Sequence, residues 1–182
     1  MSSDGRPGSI FSSFSPASRA TMATARAEAI EAGDNFIGTE HLLLALLRDE
    51  DGPGAKVFAE LGVRAAQLRE DTKAALEPFH VPRGPKREPA VAPVPRVLTP
   101  NATWVLRLAT RKAQLHRMLS VEPEHLALAL VEVEEGMAQR VLAPYHIEIA
   151  EAREVVRRQT GAPLPPHAGG PDGVGRSRVT PD

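Results

Sequence analysis

Two Glu-His pairs, Glu40-His41 and Glu124-His125, stand 84 residues apart and are the first places to look for chemistry. A carboxylate beside an imidazole can serve a zinc site, but a zinc-protease helix places a second histidine four residues from the first. Ile37 and Ala45 occupy those positions, and their counterparts are Val121 and Ala129, so no ligand set forms. Each histidine is instead expected at a helix start, donating a hydrogen bond to backbone or to the other half of the chain. Glu40 and Glu124 could also act as the carboxylate pair of a hydrolase. Nothing else marks a glycan cleft, and aromatic side chains that stack on sugars make up only 4% of the residues.

The segment Gly170-Pro171-Asp172-Gly173-Val174-Gly175-Arg176-Ser177 looks like a phosphate-binding loop with Arg in place of Lys. Such a loop works between a strand and a helix, where aligned N–H groups face the phosphates. Here Pro163-Leu164-Pro165-Pro166 precedes it and five residues follow. There is no cysteine, which removes thiolate nucleophiles, disulfides and Cys-based zinc sites and fits a reducing cytoplasm. The expectation is a cytoplasmic protein that is not an enzyme, with no catalytic residues, metal or cofactor.

Charge and hydropathy narrow the partners. A net charge of −1 supplies no overall field for nucleic acid or anionic lipid. Arg83, Lys86, Arg87 and Arg96 are scattered, and Arg64, Arg69, Glu70 and Asp71 read as a solvated helix face. The N-terminus lacks the apolar stretch of a secretory signal, and no wholly apolar run exceeds the six residues of Leu42–Leu47, too short to span a bilayer. Neither nucleic acid nor membrane is therefore expected as a partner.

The elements that must position the two Glu-His pairs follow from proline and glycine. Residues 1–13 read as a flexible arm, 14–78 as helical, 79–98 as a Pro-rich linker, 99–160 as helical again, and 161–182 as a disordered tail. A shift of 84 aligns Phe14–Leu76 with Leu98–Thr160 without a gap, with about 16 of 63 positions identical. Pro16 matches Pro100, Gly52 matches Gly136, and Arg69-Glu70 matches Arg153-Glu154.

Each copy reads as four helices. Ser15-Pro16 and Thr99-Pro100 are helix starts, because a hydroxyl caps an orphan N–H and proline lacks one. The inward face of the first helix is expected at Thr21, Met22, Ala25, Ala29 and Ala32, and of its counterpart at Val105, Leu106, Ala109, Ala113 and His116. Gly33 should end the first helix. The second helix, near Thr39–Arg48, is apolar all round and should be buried; its counterpart starts at Pro123. A short third helix carries Val57, Phe58 and Leu61, and a fourth spans about 63–77. The fold class is all-α, two tandem pseudo-symmetric four-helix repeats, and no sheet is expected.

Phe14-Ser15-Pro16, the run from Asn35 to Leu46, Gly52-Pro53-Gly54-Ala55-Lys56-Val57 and Leu61-Gly62-Val63 together resemble the N-terminal repeat domain of ClpC/ClpA-type unfoldases. The second copy departs at Glu122-Pro123 and Tyr145-His146, which stand in place of Gly-Thr and Leu-Gly. The resemblance implies eight helices and a protein-binding role: docking adaptors and substrates, or unfoldase and protease components, in ATP-dependent proteolysis. With the chain ending at Asp182, it implies a free-standing accessory module without ATPase domains. In some family members each unit binds phosphorylated arginine, with a Glu on the guanidinium and a hydroxyl at a helix N-terminus on the phosphate. The matching residues are Glu40 with Ser15 and Glu124 with Thr99. Two alternatives stay open: a protein that sequesters ligands, small peptides or adaptors of the full-length unfoldase, and a helical DNA-binding regulator.

Overall fold

Ser15 and Thr99 start the two longest helices in the same way. Each hydroxyl accepts a hydrogen bond from the N–H three residues on, Ser18 at 3.2 Å and Ala102 at 3.1 Å, with proline next in line. The computed structural model describes residues 10–77 and 97–163. The first repeat runs α1 (Pro16–Ala32), β1 (Phe36–Ile37), α2 (Thr39–Leu46), α3 (Pro53–Glu60) and α4 (Ala65–Leu76). The second runs β2 (Val97–Leu98), α5 (Pro100–Leu115), α6 (Pro123–Glu132), α7 (Met137–Leu142), a 3-10 turn at Ala143–Tyr145, and α8 (Ile149–Gln159).

The fold is all-α in two pseudo-symmetric repeats, but the repeats are not two bundles side by side. The short third helices are exchanged. α3 packs chiefly on α6 and α8 of the second repeat, and α7 packs on α2 and α4 of the first. Val57 and Phe58 of α3 are fully buried, and one hydrophobic core runs through both repeats. A short helix has too few apolar residues to stand alone, so its burial against the other repeat makes the two halves interdependent.

Backbone pairing stitches the same exchange. β1 and β2 pair in parallel, Phe36 with Val97 and Ile37 with Leu98. Phe14 and Val121, 84 residues from Leu98 and Ile37, form the matching bridge. This corrects the expectation of no sheet: two residues are too few to show alternation, so the pairing left no periodic signal. It also corrects the linker boundary, since Val97 and Leu98 belong to a strand. Ser13 accepts from the Val121 N–H, and Ile10 and Phe11 pack on the core, so the last residues of the 1–13 arm lie against the domain. At the other end Ala162 is buried and accepts from Arg157, inside the stretch expected as tail. The remainder of the arm, linker and tail, including the Gly170–Ser177 loop, lies outside the described residues.

Ala25, Ala29, Val105, Leu106, Ala109 and Ala113 are buried as expected, while Thr21, Met22, Ala32 and His116 are only partly covered. The buried faces of α1 and α5 also include Ser18, Glu28, Ala102 and Lys112, which the expected faces omit. Glu28, missed as a charged residue, is 5% exposed on the inner face of α1. Its carboxylate accepts from Arg48 at 3.0 Å and from Arg69 at 2.9 Å, and Arg69 also caps the Leu44 carbonyl. In the second repeat the equivalent residues are Lys112, Glu132 and Arg153. There the carboxylate sits on the second helix, paired with Lys112 and with Arg153 at 2.7 Å. The same three positions thus hold a triad in both repeats with the signs on the first two exchanged, as a buried charge requires a partner but not a particular owner.

No helix among the described residues is long and apolar enough to cross a membrane.

Candidate functional site

The two caps and the two buried-helix starts meet across the repeats. Thr99 donates its N–H to the Ile37 carbonyl at 3.0 Å, which sets the start of α5 beside the start of α2. Ser15 donates to the Val121 carbonyl at 3.1 Å, which sets the start of α1 beside the start of α6. The within-repeat pairing expected from the sequence, Ser15 with Glu40 and Thr99 with Glu124, is therefore corrected. α1 is 17 residues long, so Ser15 and the turn leading to Glu40 stand about 25 Å apart along its axis. The neighbours in space are Thr99 with Glu40, and Ser15 with Glu124.

Thr99 and Glu40 line one cleft of about 420 Å³, together with Asp34, Phe36, Thr39, Asn101, Gly136 and Met137. Glu40, at the second position of α2, is 7% exposed. Its carboxylate folds back over Gly38: a β-carbon there would stand 2.1 Å from Oε1. Thr39 donates to Glu40 Oε2 over a long 3.5 Å and receives the Ala138 N–H at 3.1 Å. That second bond caps α7 from the opposite repeat, because Gly136 has no side chain to do so. Gly136 has φ +124°, and a β-carbon on it would strike the Thr39 hydroxyl at 2.7 Å.

The pseudo-symmetric junction differs in detail. Position 122 is Glu rather than Gly, so its β-carbon occupies the space into which Glu40 folds in the other half. Glu124 Oε2 is buried and makes no hydrogen bond among the described residues, and burial pushes its carboxyl above the usual range. One turn into α1, the buried Ser18 hydroxyl likewise has no partner among the described residues as a donor or acceptor. Pro123 replaces Thr39, so no hydroxyl caps α3 from across the repeats; Pro123 lines a cleft with Gly52, Pro53 and Ala17 instead. Two unsatisfied polar groups at one helix junction leave this half the one with free hydrogen-bonding capacity.

The histidines are structural caps, and their sense is the reverse of that expected. His41 Nδ1 accepts the Gly38 N–H at 3.1 Å and His125 Nδ1 accepts the Glu122 N–H at 3.0 Å. Each occupies the position where Glu or Gln closes a capping box. With Nδ1 accepting, the neutral ring carries its proton on Nε2. For His41 that nitrogen lies 3.2 Å from Asp34 Oδ2; for His125 it lies 3.3 Å from His116 Nδ1, within the same repeat. Burial, the nearby His116 and the counteracting Glu122 leave His125 with a pKa of about 4. Among the described residues no three His, Cys, Asp or Glu side chains gather to hold a metal ion.

The chain is 29% identical over 153 residues to the chaperone protein ClpB of Oceanobacillus iheyensis and, equally, to ClpC/MecB of Bacillus subtilis, a negative regulator of genetic competence. Each alignment covers 84% of this chain and 18% of the relative, so the chain spans under a fifth of the length of these proteins. The crystal structure of the N-terminal domain of ClpD from Arabidopsis thaliana superposes with a TM-score of 0.64 at 20% identity, covering 85% of this chain and 99% of that domain. The overall fold is therefore one seen before. The Clp repeat (R) N-terminal domain model matches twice, over residues 13–96 and 97–178, and the chain belongs to that family.

Proposed function

We propose that this domain is a docking module of a Clp-type proteolytic system, binding adaptors or substrate segments through its two cross-repeat clefts. The ligand class proposed for the clefts is a phosphorylated guanidine, as carried by a phosphoarginine residue in a protein or peptide. The observation that carries the reading is the Glu40–Thr99 cleft: a buried carboxylate beside the N-terminus of a 16-residue helix. A carboxylate holds a planar guanidinium through paired hydrogen bonds. The N–H groups and dipole of α5, with the Thr99 hydroxyl, favour an anion. A ligand carrying both charges a few ångströms apart matches both walls at once. Ser15 and Glu124 offer the same pair of groups at the other junction, with Ser18 adding a hydroxyl.

Calorimetry with a phosphoarginine peptide tests this. The expected result is saturable binding by the wild-type chain, and little or none by a Glu40→Gln/Glu124→Gln variant whose helical content is unchanged. Absence of heat with the wild type, or equal heat with the variant, rules the reading out. Pull-down from lysate with the same variant as control then asks which adaptors or substrates depend on these carboxylates.

A further inference from the structure

The cleft that holds Glu40 and Thr99 does not end at the start of α5. Asn101 lines it and also lines a neighbouring cleft walled by Trp104, Leu108, Val133 and the carboxylates Glu134 and Glu135. Asn101, Trp104 and Leu108 are spaced by three and four residues, so they form one stripe along α5. Trp104 is the sole tryptophan of the chain and is 56% exposed. Glu134 and Glu135 are exposed and have no ion-pair partner among the described residues, whereas the third carboxylate of this cleft, Glu132, is neutralised by Lys112 and Arg153. Among the described residues no Lys or Arg lines this cleft. The equivalent surface of the first repeat carries Ala20 for Trp104, Thr24 for Leu108 and Arg48 for Glu132. Asp49, Glu50 and Asp51 stand where the second repeat has Val133, Glu134 and Glu135, so carboxylates are present in both halves; the aromatic belongs to one half alone, and in the other Arg48 accompanies the acids.

We propose that Trp104, Glu134 and Glu135 form a specificity subsite for a Lys or Arg side chain of an extended peptide anchored at Glu40 and Thr99. This rests on the reading of that cleft as the anchor site. The face of an indole attracts a cation, and the two unpaired carboxylates supply the counter-charge. Trp104 is five residues beyond Thr99, about 7.5 Å along the helix, a distance that an extended chain covers in about two residues. The preferred basic residue is thus two positions from the anchor. The same carboxylates repel an acidic peptide and a nucleic-acid backbone, so a basic peptide is the occupant that the charge selects. The first repeat keeps two carboxylates, Glu50 and Asp51, at the equivalent place, but has Ala20 for the indole and Arg48 as a competing cation, so its preference is weaker.

The test uses the full chain and peptides that carry phosphoarginine with Lys, Ala or Glu two residues away on either side, read by calorimetry and by the emission of Trp104. The Lys peptide is expected to bind roughly fivefold tighter than the Ala peptide and to shift the emission, with the Glu peptide weakest. Trp104→Ala and Glu134→Gln/Glu135→Gln should each erase the Lys preference while leaving binding of the Ala peptide in place. Equal affinity for the three peptides, or a Lys preference that survives both variants, overturns the subsite and leaves the anchor untouched. If no phosphoarginine peptide binds, the unphosphorylated Lys peptide decides. An emission shift that Glu134→Gln/Glu135→Gln abolishes would keep the basic subsite and discard the anchor; silence would discard both.

Discussion

The N–H of Thr99 lies 3.0 Å from the carbonyl oxygen of Ile37 and ties the cap of α5 to the turn that opens α2. Its counterpart ties Ser15 to Val121. One hydroxyl cap from each repeat is thereby delivered to a glutamate of the other. The exchange of α3 and α7 has the same sense, so the repeats share their core as well as their clefts.

A shared core predicts that one repeat does not fold alone. A fragment of residues 1–84 keeps α1 to α4 but loses α6 and α8, which cover Val57 and Phe58. Circular dichroism should show little helix and no cooperative melt in the fragment, with native-like helix regained on adding a fragment of residues 85–182. A cooperative transition in the first fragment alone would contradict the shared core.

The exchanged triads predict a compensating pair. Glu28→Lys should cost roughly 2 kcal/mol in urea denaturation, below the about 3–5 of a fully buried pair because Arg48 stays half exposed. Adding Arg48→Glu rebuilds the arrangement of the second repeat and should recover most of that loss. Additive losses would mean that the two triads are not equivalent.

The histidine caps predict acid sensitivity. The folded pKa of His125, about 4, lies below the ordinary value of 6.5, so the unfolded chain takes up the proton first. Its contribution is present above pH 6.5 and is lost as pH falls from 6.5 to about 4, roughly 3 kcal/mol at most. Glu124 works in the opposite sense: its raised pKa makes the folded state weaker as pH rises above the ordinary 4.5. His125→Gln keeps an acceptor for the Glu122 N–H and removes the titration. Its stability at pH 7 should stay within about 1 kcal/mol of wild type, with a flatter decline towards pH 4.

Gly38 separates site from scaffold. Its φ of −98° is open to any residue, so Gly38→Ala brings no backbone strain. The atoms nearest the added β-carbon all belong to the flexible end of Glu40. Thermal stability should shift by less than about 1 kcal/mol, while ligand binding at this cleft weakens several-fold. A large loss of stability with unchanged binding would show that Glu40 serves the fold alone.

Much of the fold could be read from residue spacing, because caps and buried runs are local. Ser15-Pro16, Thr99-Pro100, Gly33 and the Leu42–Leu47 run placed their helices within a residue or two. The exchange of α3 and α7 could not be read, since the spacing within a repeat is the same whichever repeat its short helix covers. The four site residues stood out through the family resemblance, but their pairing did not, for it depends on the Thr99–Ile37 and Ser15–Val121 contacts. Glu28 went unnoticed because its partners, Arg48 and Arg69, are 20 and 41 residues away. Trp104 carried no signal until Asn101 joined its cleft to that of Glu40.

The most direct measurement is a double-mutant cycle on phosphoarginine-peptide binding, in a Glu124→Gln background that silences the other junction. Calorimetry on Glu40→Gln, Thr99→Ala and the pair should give losses that fall short of additivity by about 1 kcal/mol or more, with Ser15→Ala and Glu40→Gln additive. Coupling of Glu40 to Ser15, and none to Thr99, would contradict a site built across the repeats.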